Sequence, residues 1–327
     1  QPGRDLLGEI NAQFGKVERG TSLVSEFDLP ANSWYMSSGT TILPHVALME
    51  IALQPCGFLS AYMGSILGKE GQDLYFRNLD GDANLLDWPV NPTGPLTNRV
   101  KLISSSSLGD VIIQKYDFEL SWGKQPFITG SSSFGYFTLS MLQNQQGLDG
   151  GKDQQTWKEE QPEKGSWVTF NQHALPLNGT PRLPSPDRIW IARDGGRHGQ
   201  GYLYLSQPIP RQSWFYSAHF HQDPVMPGSL GVETMAAALQ TAAGQWGIPD
   251  NLVWRMAADS RLDWKYRGQI NPENGEITVD LHIKSIKKNN MGWEINADGQ
   301  LWKDSKRIYQ VDNLKLESYP LSQESKR

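Results

Sequence analysis

The sequence predicts an α+β fold made of two similar halves, in each of which a curved antiparallel sheet wraps one long apolar helix. Two observations lead to this prediction. A turn rich in proline and glycine precedes an apolar helix near residue 228, and a similar pattern occurs earlier, near residue 45. Each helix is then followed by segments that alternate polar and apolar residues with a period of two, which is typical of strands.

Length and composition limit the classes of function. The chain has 327 residues, enough for two domains of ordinary size, and its net charge of −5 argues against a nucleic-acid-binding protein. A single cysteine excludes an intrachain disulfide and suits a reducing compartment, so we expect a cytoplasmic protein. The apolar segment 43–67 is interrupted by Glu50 and a proline, which predicts a buried helix and not a membrane span. Because the chain begins at Gln1, we expect a piece of a longer polypeptide.

The first predicted domain comprises residues 1–140. Its helix follows from Pro44, and a kink is expected at Pro55, whose ring removes a backbone donor. Residues 71–97 are polar and rich in proline and glycine, which predicts an irregular excursion. Residues 100–139 show period-two apolar runs broken by glycine and serine, which predicts a meander of strands.

A linker is predicted over residues 141–186, which are polar, turn-rich and poor in aliphatic side chains. The second domain, 187–327, then repeats the order of the first. The aromatic run at 214–216 predicts the end of a strand directly before the second turn. The other expected elements are strands at 188–193 and 201–206, a turn and helix at 219–247, and a meander at 252–318.

The two helices align at a constant offset of 183 residues, because Pro44 precedes Glu50 by six residues as Pro227 precedes Glu233. Such self-similarity is the signature of a tandem duplication. His219 lies just before the second turn. Residue types alone leave two readings open for this histidine and the helix glutamates, an acid–base pair or side chains without a catalytic role.

Two stretches of sequence carry a family resemblance. The run HFHQDPVMPGSLG at 219–231 resembles the hot-dog-fold 3-hydroxyacyl-[acyl-carrier-protein] dehydratases, especially the 3-hydroxydecanoyl type. The stretch LMEIALQPCGFLSAYMG at 48–64, together with the pairing of two such units, resembles the dehydratase regions of polyunsaturated fatty acid (PUFA) synthases. The resemblance implies a double hot dog with two long central helices, each wrapped by a curved antiparallel β-sheet, within a megasynthase.

The resemblance also implies a catalytic site at the junction of the two hot dogs, where His219 from the second half acts with a carboxylate from the helix of the first. That carboxylate is Glu50, which is followed four residues later by Gln54, as in the acid-x3-Gln helix pattern of polyketide-type dehydratases. Glu233 lacks such a glutamine. Met36 stands where the first half would need its histidine, so Glu233 and Met36 are expected to form an inactive pseudo-site.

The implied reaction removes water from a 3-hydroxyacyl thioester to give a trans-2-enoyl thioester. A neutral imidazole suits removal of the C2 proton near neutral pH, and a protonated carboxyl is needed because hydroxide leaves poorly. By resemblance, the backbone N–H of Gly228 stabilises the enolate, as a helix N-terminus can. We expect the acyl tail to lie in an apolar tunnel near Met49, Leu53, Phe58 and Met235.

The expected partners are an acyl carrier protein, whose phosphopantetheine carries the substrate, and other domains of the synthase, with a homodimer possible. Redox-neutral acid–base chemistry needs no further cofactor, and no metal-ligand spacing is present. Both helices carry glutamate where the hydroxydecanoyl enzymes carry aspartate, which leaves isomerisation of the double bond open. Two other functions also stay open: a hot-dog acyl-thioester hydrolase and a non-catalytic acyl-binding double hot dog.

Overall fold

In this computed structural model, the described residues are 5–29, 43–69, 71–89, 94–170, 186–290 and 292–320. The chain divides into two units. The first comprises Gln1–Met36, Ala47–Gln145 and Ala258–Asp263, and the second comprises Ser37–Val46, Gln146–Ala257 and Trp264–Arg327. Among the described residues, no helix is both long enough and apolar enough to cross a membrane.

The first unit is an antiparallel sheet with one long helix. In chain order its described elements are β1 (Asp5–Asn11), β2 (Ser22–Phe27), α1 (His45–Tyr62), β3 (Leu74–Leu85), β4 (Leu96–Leu108), β5 (Val111–Trp122), β6 (Gln125–Thr138) and the short helix α2 (Leu139–Gln143). The strands are hydrogen-bonded in the order β1-β2-β4-β5-β6-β3.

The second unit repeats this arrangement with additional short elements. Its described elements are α3 (Trp157–Glu160), β7 (Ser166–Thr169), β8 (Arg188–Ala192), β9 (Tyr202–Pro208), α4 (Phe215–Ala218), α5 (Gly228–Ala242), β10 (Leu252–Met256), β11 (Ser260–Tyr266), β12 (Glu276–Lys288), β13 (Trp293–Lys303) and β14 (Lys306–Pro320). The boundary between the units falls inside β11, after Asp263. The sheet order is β7-β8-β9-β12-β13-β14, and β10 also pairs with β14.

The duplication predicted from the sequence is visible in the start of the helices and in the register of the strands. Helix α1 begins at His45 and α5 at Gly228, which is the predicted offset of 183 residues. The β4–β5 pair has a β-bulge just after Leu102, and the β12–β13 pair has one just after Ile283, an offset of 181 residues. The two sheets therefore share a bulge at a similar distance from the start of the helix.

Helix α1 continues through Pro55 because a side chain replaces the missing backbone donor. The ring of Pro55 removes the N–H that would bond to the carbonyl oxygen of Ile51. Asn98 on β4 donates its side-chain amide to the carbonyl oxygens of Ile51 and Ala52, at 2.9 Å in each case. The helix therefore keeps its buried carbonyls paired. Its buried residues are Leu48, Met49, Ala52, Pro55, Cys56, Leu59 and Ser60.

Two segments differ from the structure predicted for them. The aromatic run before the second turn is the helix α4 and not a strand end, since the N–H of His219 bonds to the carbonyl of Phe215, 2.9 Å away. Phe215 is 1% exposed, so its ring is buried in this helical conformation. Residues 71–97, expected to be irregular, contain β3, which pairs with β6 along its length.

The segment 141–186 is predicted as a linker, but from Gln146 onward its described part belongs to the second unit. Asp149 accepts two hydrogen bonds from Arg307, at 2.7 and 3.1 Å. Trp157, at the start of α3, lies against Tyr202 with ring centroids 4.9 Å apart. The segment also contains the strand β7, which pairs with β8 in the sheet of the second unit.

Candidate active site

His219 lies at the C-terminal end of α4, half-buried, and one of its ring nitrogens is fixed. Its Nδ1 lies 3.0 Å from the carbonyl oxygen of Val225. A carbonyl oxygen can only accept a hydrogen bond, so this geometry assigns the proton to Nδ1. In the neutral imidazole the lone pair is then on Nε2, which makes His219 a base through that atom.

Backbone conformation and a backbone hydrogen bond fix the turn between His219 and α5. Gln222 adopts a left-handed conformation with φ of 56°, which reverses the chain. The N–H of Met226 donates to the carbonyl oxygen of Ile270 at 2.9 Å, so the turn is attached to the segment after β11. The carbonyl of Val225 that orients His219 therefore belongs to the same fixed turn that begins α5.

Gly228 is the first residue of α5, and the N-cap residue before it, Pro227, makes no side-chain cap. The N–H groups of a first helical turn have no acceptor within the helix, and together with the helix dipole they favour negative charge. A Cβ at Gly228 would lie 2.5 Å from a ring carbon of Tyr266, and one at Gly231 would lie 2.8 Å from a ring carbon of Tyr309. The centroids of the two tyrosine rings are 4.4 Å apart. The rings pack so closely on the first turn of α5 that only glycine fits at positions 228 and 231.

Glu50 lies in the second turn of α1, half-buried. Leu53, Gln54 and Phe58 follow it by three, four and eight residues, so the four side chains share one helical face. Leu53 is half-buried, Gln54 is exposed, and Phe58 is 43% exposed and stacks on Tyr62. The carboxylate is thus followed by apolar side chains that become more exposed toward the end of the helix.

Of the remaining predicted site residues, two lie in the cores, one is half-buried and one lies outside the described residues. Met49 is 4% exposed and lies on the buried face of α1, while Met235 is fully buried in α5. A Cβ at Gly299 would lie 2.5 Å from the sulfur of Met235, so this methionine packs directly on β13. Glu233 is half-buried in α5, and Met36 lies outside the described residues.

The structure places His219 and Gly228 at the two ends of one turn in the second unit, whereas Glu50 belongs to the first unit. Sequence reasoning missed the carbonyl of Val225, because a backbone atom carries no residue-type signal. It also missed the support of Gly228 by Tyr266. A signal for that contact was available, since Gly228 and Gly231 are spaced by one helical turn.

Comparison with known proteins finds sequence matches for the second half of the chain and for most of its length. Residues 180–312 match the model of the FabA-like domain. The chain is also 33% identical over 324 residues to one of the subunits of the polyunsaturated fatty acid synthase from Thraustochytrium sp.. That alignment covers 91% of this chain and 21% of the relative, so the chain spans about a fifth of the length of that protein.

Solved structures with similar folds include two enzyme classes. The dehydratase domain from the CurJ module of curacin polyketide synthase is 10% identical with a TM-score of 0.53, covering 96% of this chain and 97% of that one. The 12:0-ACP thioesterase from Umbellularia californica is 10% identical with a TM-score of 0.50, covering 91% and 94%. These likenesses show the fold alone. The resemblance inferred from residues 219–231 is confirmed by the sequence matches, since residues 180–312 match the model of the FabA-like domain.

Proposed function

We propose that this chain removes water from 3-hydroxyacyl thioesters to give trans-2-enoyl thioesters. The observation that carries the proposal is the hydrogen bond between Nδ1 of His219 and the carbonyl oxygen of Val225, because it leaves Nε2 as a base. The same turn ends at the uncapped N-terminus of α5. The FabA-like match and the identity with part of a PUFA synthase support the assignment.

In the proposed reaction, Nε2 of His219 takes the proton from C2 of the substrate. The electron pair of that C–H bond moves toward the thioester, and the N–H of Gly228 donates to the thioester oxygen as it becomes negative. The pair then forms the C2=C3 double bond while the C3–O bond breaks. The carboxyl of Glu50 gives its proton to the departing oxygen, which leaves as water. Return of a proton from the imidazolium to the carboxylate restores the resting enzyme.

The choice of Glu50 as the acid rests on the sequence. Glu50 and Gln54 reproduce the acid-x3-Gln helix pattern, so Gln54 is proposed to position the substrate. Glu233 lacks the glutamine, and His45 stands in the first repeat where Gly228 stands in the second. The pseudo-site of Glu233 and Met36 is therefore proposed to be inactive.

We further propose the finer architecture of a double hot dog, with α1 and α5 as central helices that are each wrapped by a curved sheet. The acyl tail would follow the helical face of Glu50, with Leu53 and Phe58 from the first half. The buried methionines Met49 and Met235 would form deeper parts of the apolar lining. The substrate would arrive on the phosphopantetheine of an acyl carrier protein within a PUFA-type synthase, and the chemistry would use no other cofactor.

The test is incubation of the chain with 3-hydroxyacyl-pantetheine substrates of several lengths, followed by mass spectrometry for loss of water. Wild-type protein should form the enoyl product, and His219→Ala should reduce its rate by about 10²–10⁴-fold. His221→Ala, at an exposed histidine two residues further on, is the matched control and should remain active. NMR of the product decides whether the double bond stays at C2 or is isomerised.

The same assay separates the alternatives. A hydrolase, the class of the plant thioesterase with a similar fold, would release free pantetheine from acyl thioesters that lack the 3-hydroxyl. A non-catalytic acyl-binding protein would bind the substrates and form no product. Either result would contradict the dehydratase assignment.

A further inference from the structure

Tyr216 carries a buried hydroxyl for which the mechanism above has no role. It lies in α4, three residues before His219, so the two side chains share a helical face. The residue is 7% exposed. Its hydroxyl has no hydrogen-bond partner within the part of the chain that the structure describes.

Two other buried tyrosines, whose hydroxyls are paired, contrast with Tyr216. The hydroxyl of Tyr202 donates to Asp280 at 3.1 Å, and that of Tyr116 donates to Gln114 at 2.9 Å. Buried polar groups are almost always paired, because an unpaired donor has lost its hydrogen bonds to water without replacement. A buried donor left unpaired within one helical turn of a proposed general base is typical of a site where the substrate supplies the acceptor.

The surroundings of Tyr216 keep it a donor. Burial, and secondarily the charge of Glu273, raise the pKa of Tyr216 to about 12, so the hydroxyl keeps its proton near neutral pH. Glu273 belongs to the same connection as Ile270, whose carbonyl holds Met226 in the turn after His219. Tyr216 and the turn between His219 and α5 therefore both lie near the connection between β11 and β12.

We propose that the hydroxyl of Tyr216 donates a hydrogen bond to the thioester oxygen of the bound substrate, as a second donor beside the N–H of Gly228. The inference rests on the proposed dehydratase function. Negative charge develops on that oxygen when His219 removes the C2 proton, so this hydrogen bond is stronger in the transition state than in the ground state. Substrate binding also gives the buried hydroxyl its missing acceptor.

Tyr216→Phe tests the hydroxyl alone, since the ring remains. We expect kcat to fall by about 10²-fold with little change in KM, as for other oxyanion donors. The dependence of kcat on pH should keep its shape, because His219 remains in place. The thermal unfolding midpoint should be equal or higher, because the variant removes an unpaired buried group. A kcat like that of the wild type overturns the proposal.

Tyr202→Phe is the matched control, because it removes a buried hydroxyl that is paired with Asp280. This variant should unfold at a lower temperature and keep its kcat. If Tyr216→Phe lowers the thermal unfolding midpoint together with kcat, the role of Tyr216 is structural. That result also overturns the proposal.

Infrared spectroscopy of a bound enoyl-pantetheine, labelled with ¹³C at the thioester carbonyl, gives a readout that a structural role would not change. A donated hydrogen bond weakens the C=O bond, so the stretch should lie at lower frequency in the wild type than in Tyr216→Phe. Equal frequencies overturn the proposal. If the wild type forms no enoyl product at all, the dehydratase function fails and this inference fails with it, whereas an active wild type with an equally active Tyr216→Phe removes the inference alone.

Discussion

The side-chain amide of Asn98 lies 2.9 Å from the carbonyl oxygen of Ile51, the acceptor that Pro55 leaves without a helical donor. Asn98 is 1% exposed, so water does not replace this contact. Ile51 directly follows Glu50 in the chain. The bond therefore attaches β4 to the turn of α1 that carries the proposed catalytic acid.

Replacement of Asn98 by leucine should destabilise the chain by about 1–3 kcal/mol, because a buried carbonyl loses its donor. Urea denaturation measures the change. Pro55→Ala returns a backbone N–H to Ile51, so the effect of Asn98→Leu should be smaller in the Pro55→Ala background. A double-mutant cycle with no coupling between the two positions would contradict this account.

His45, which begins α1, predicts a pH dependence of stability. Burial lowers the pKa of His45 from 6.5 to about 4. Between pH 6.5 and about pH 4, His45 is therefore protonated in the unfolded chain and neutral in the folded chain. The folded state is thus fully favoured above the unfolded pKa and loses stability as the pH falls toward 4, by at most about 1.4 kcal/mol per pH unit. His45→Gln should flatten this slope in urea denaturation at mildly acidic pH. An unchanged slope would show that other groups are responsible.

Gly228→Ala should impair catalysis through Tyr266. The added methyl would lie 2.5 Å from the tyrosine ring, so either the ring or the start of α5 must move. Displacement of the backbone N–H should lower kcat by about 10²-fold, the usual loss for one oxyanion donor. Tyr266→Leu in the same chain makes room for the methyl and should recover part of the lost kcat. Wild-type kcat in the single variant would exclude this N–H from the reaction.

Features with a local signal could be predicted from the sequence. The starts of α1 and α5 follow from a proline and an apolar run, and alternation over 100–139 corresponds to the strands β4 to β6. The turn at 219–231 is a specific motif, so His219 could be selected from the sequence as the candidate base. Its tautomer was not, because the carbonyl of Val225 is positioned by the folded turn.

Features set by distant contacts could not be predicted. The sequence of β3 is polar and contains glycine, and its strand conformation comes from pairing with β6, which has no local signature. Phe215 favours a strand by propensity, yet its burial is satisfied in the helix α4. The segment 146–164 resembles a linker in composition, although Trp157 attaches it to the second unit.

Because Trp157 attaches residues 146–164 to the second unit, we expect its replacement to destabilise the chain more than replacement of Trp167. Trp157 lies 4.9 Å from the ring of Tyr202 and 6.2 Å from that of Trp190, whereas Trp167 is 43% exposed. Trp157→Ala should destabilise the chain by about 2–4 kcal/mol and expose residues 146–164 to proteases. Trp167→Ala is the matched control and should cost less than about 1 kcal/mol. Equal effects in denaturation and proteolysis would mean that the segment is a linker after all.

Glu50 and Glu233 offer a matched pair that tests which helix supplies the acid. Both are half-buried, and they occupy the same position in the two copies of the helix. Glutamine keeps the size of the side chain and cannot deliver a proton, so Glu50→Gln should abolish enoyl formation while Glu233→Gln keeps most of it. Single-turnover assays with a 3-hydroxyacyl-pantetheine measure both. The opposite result would assign the acid to α5, and His219 would then act with a carboxylate of its own half.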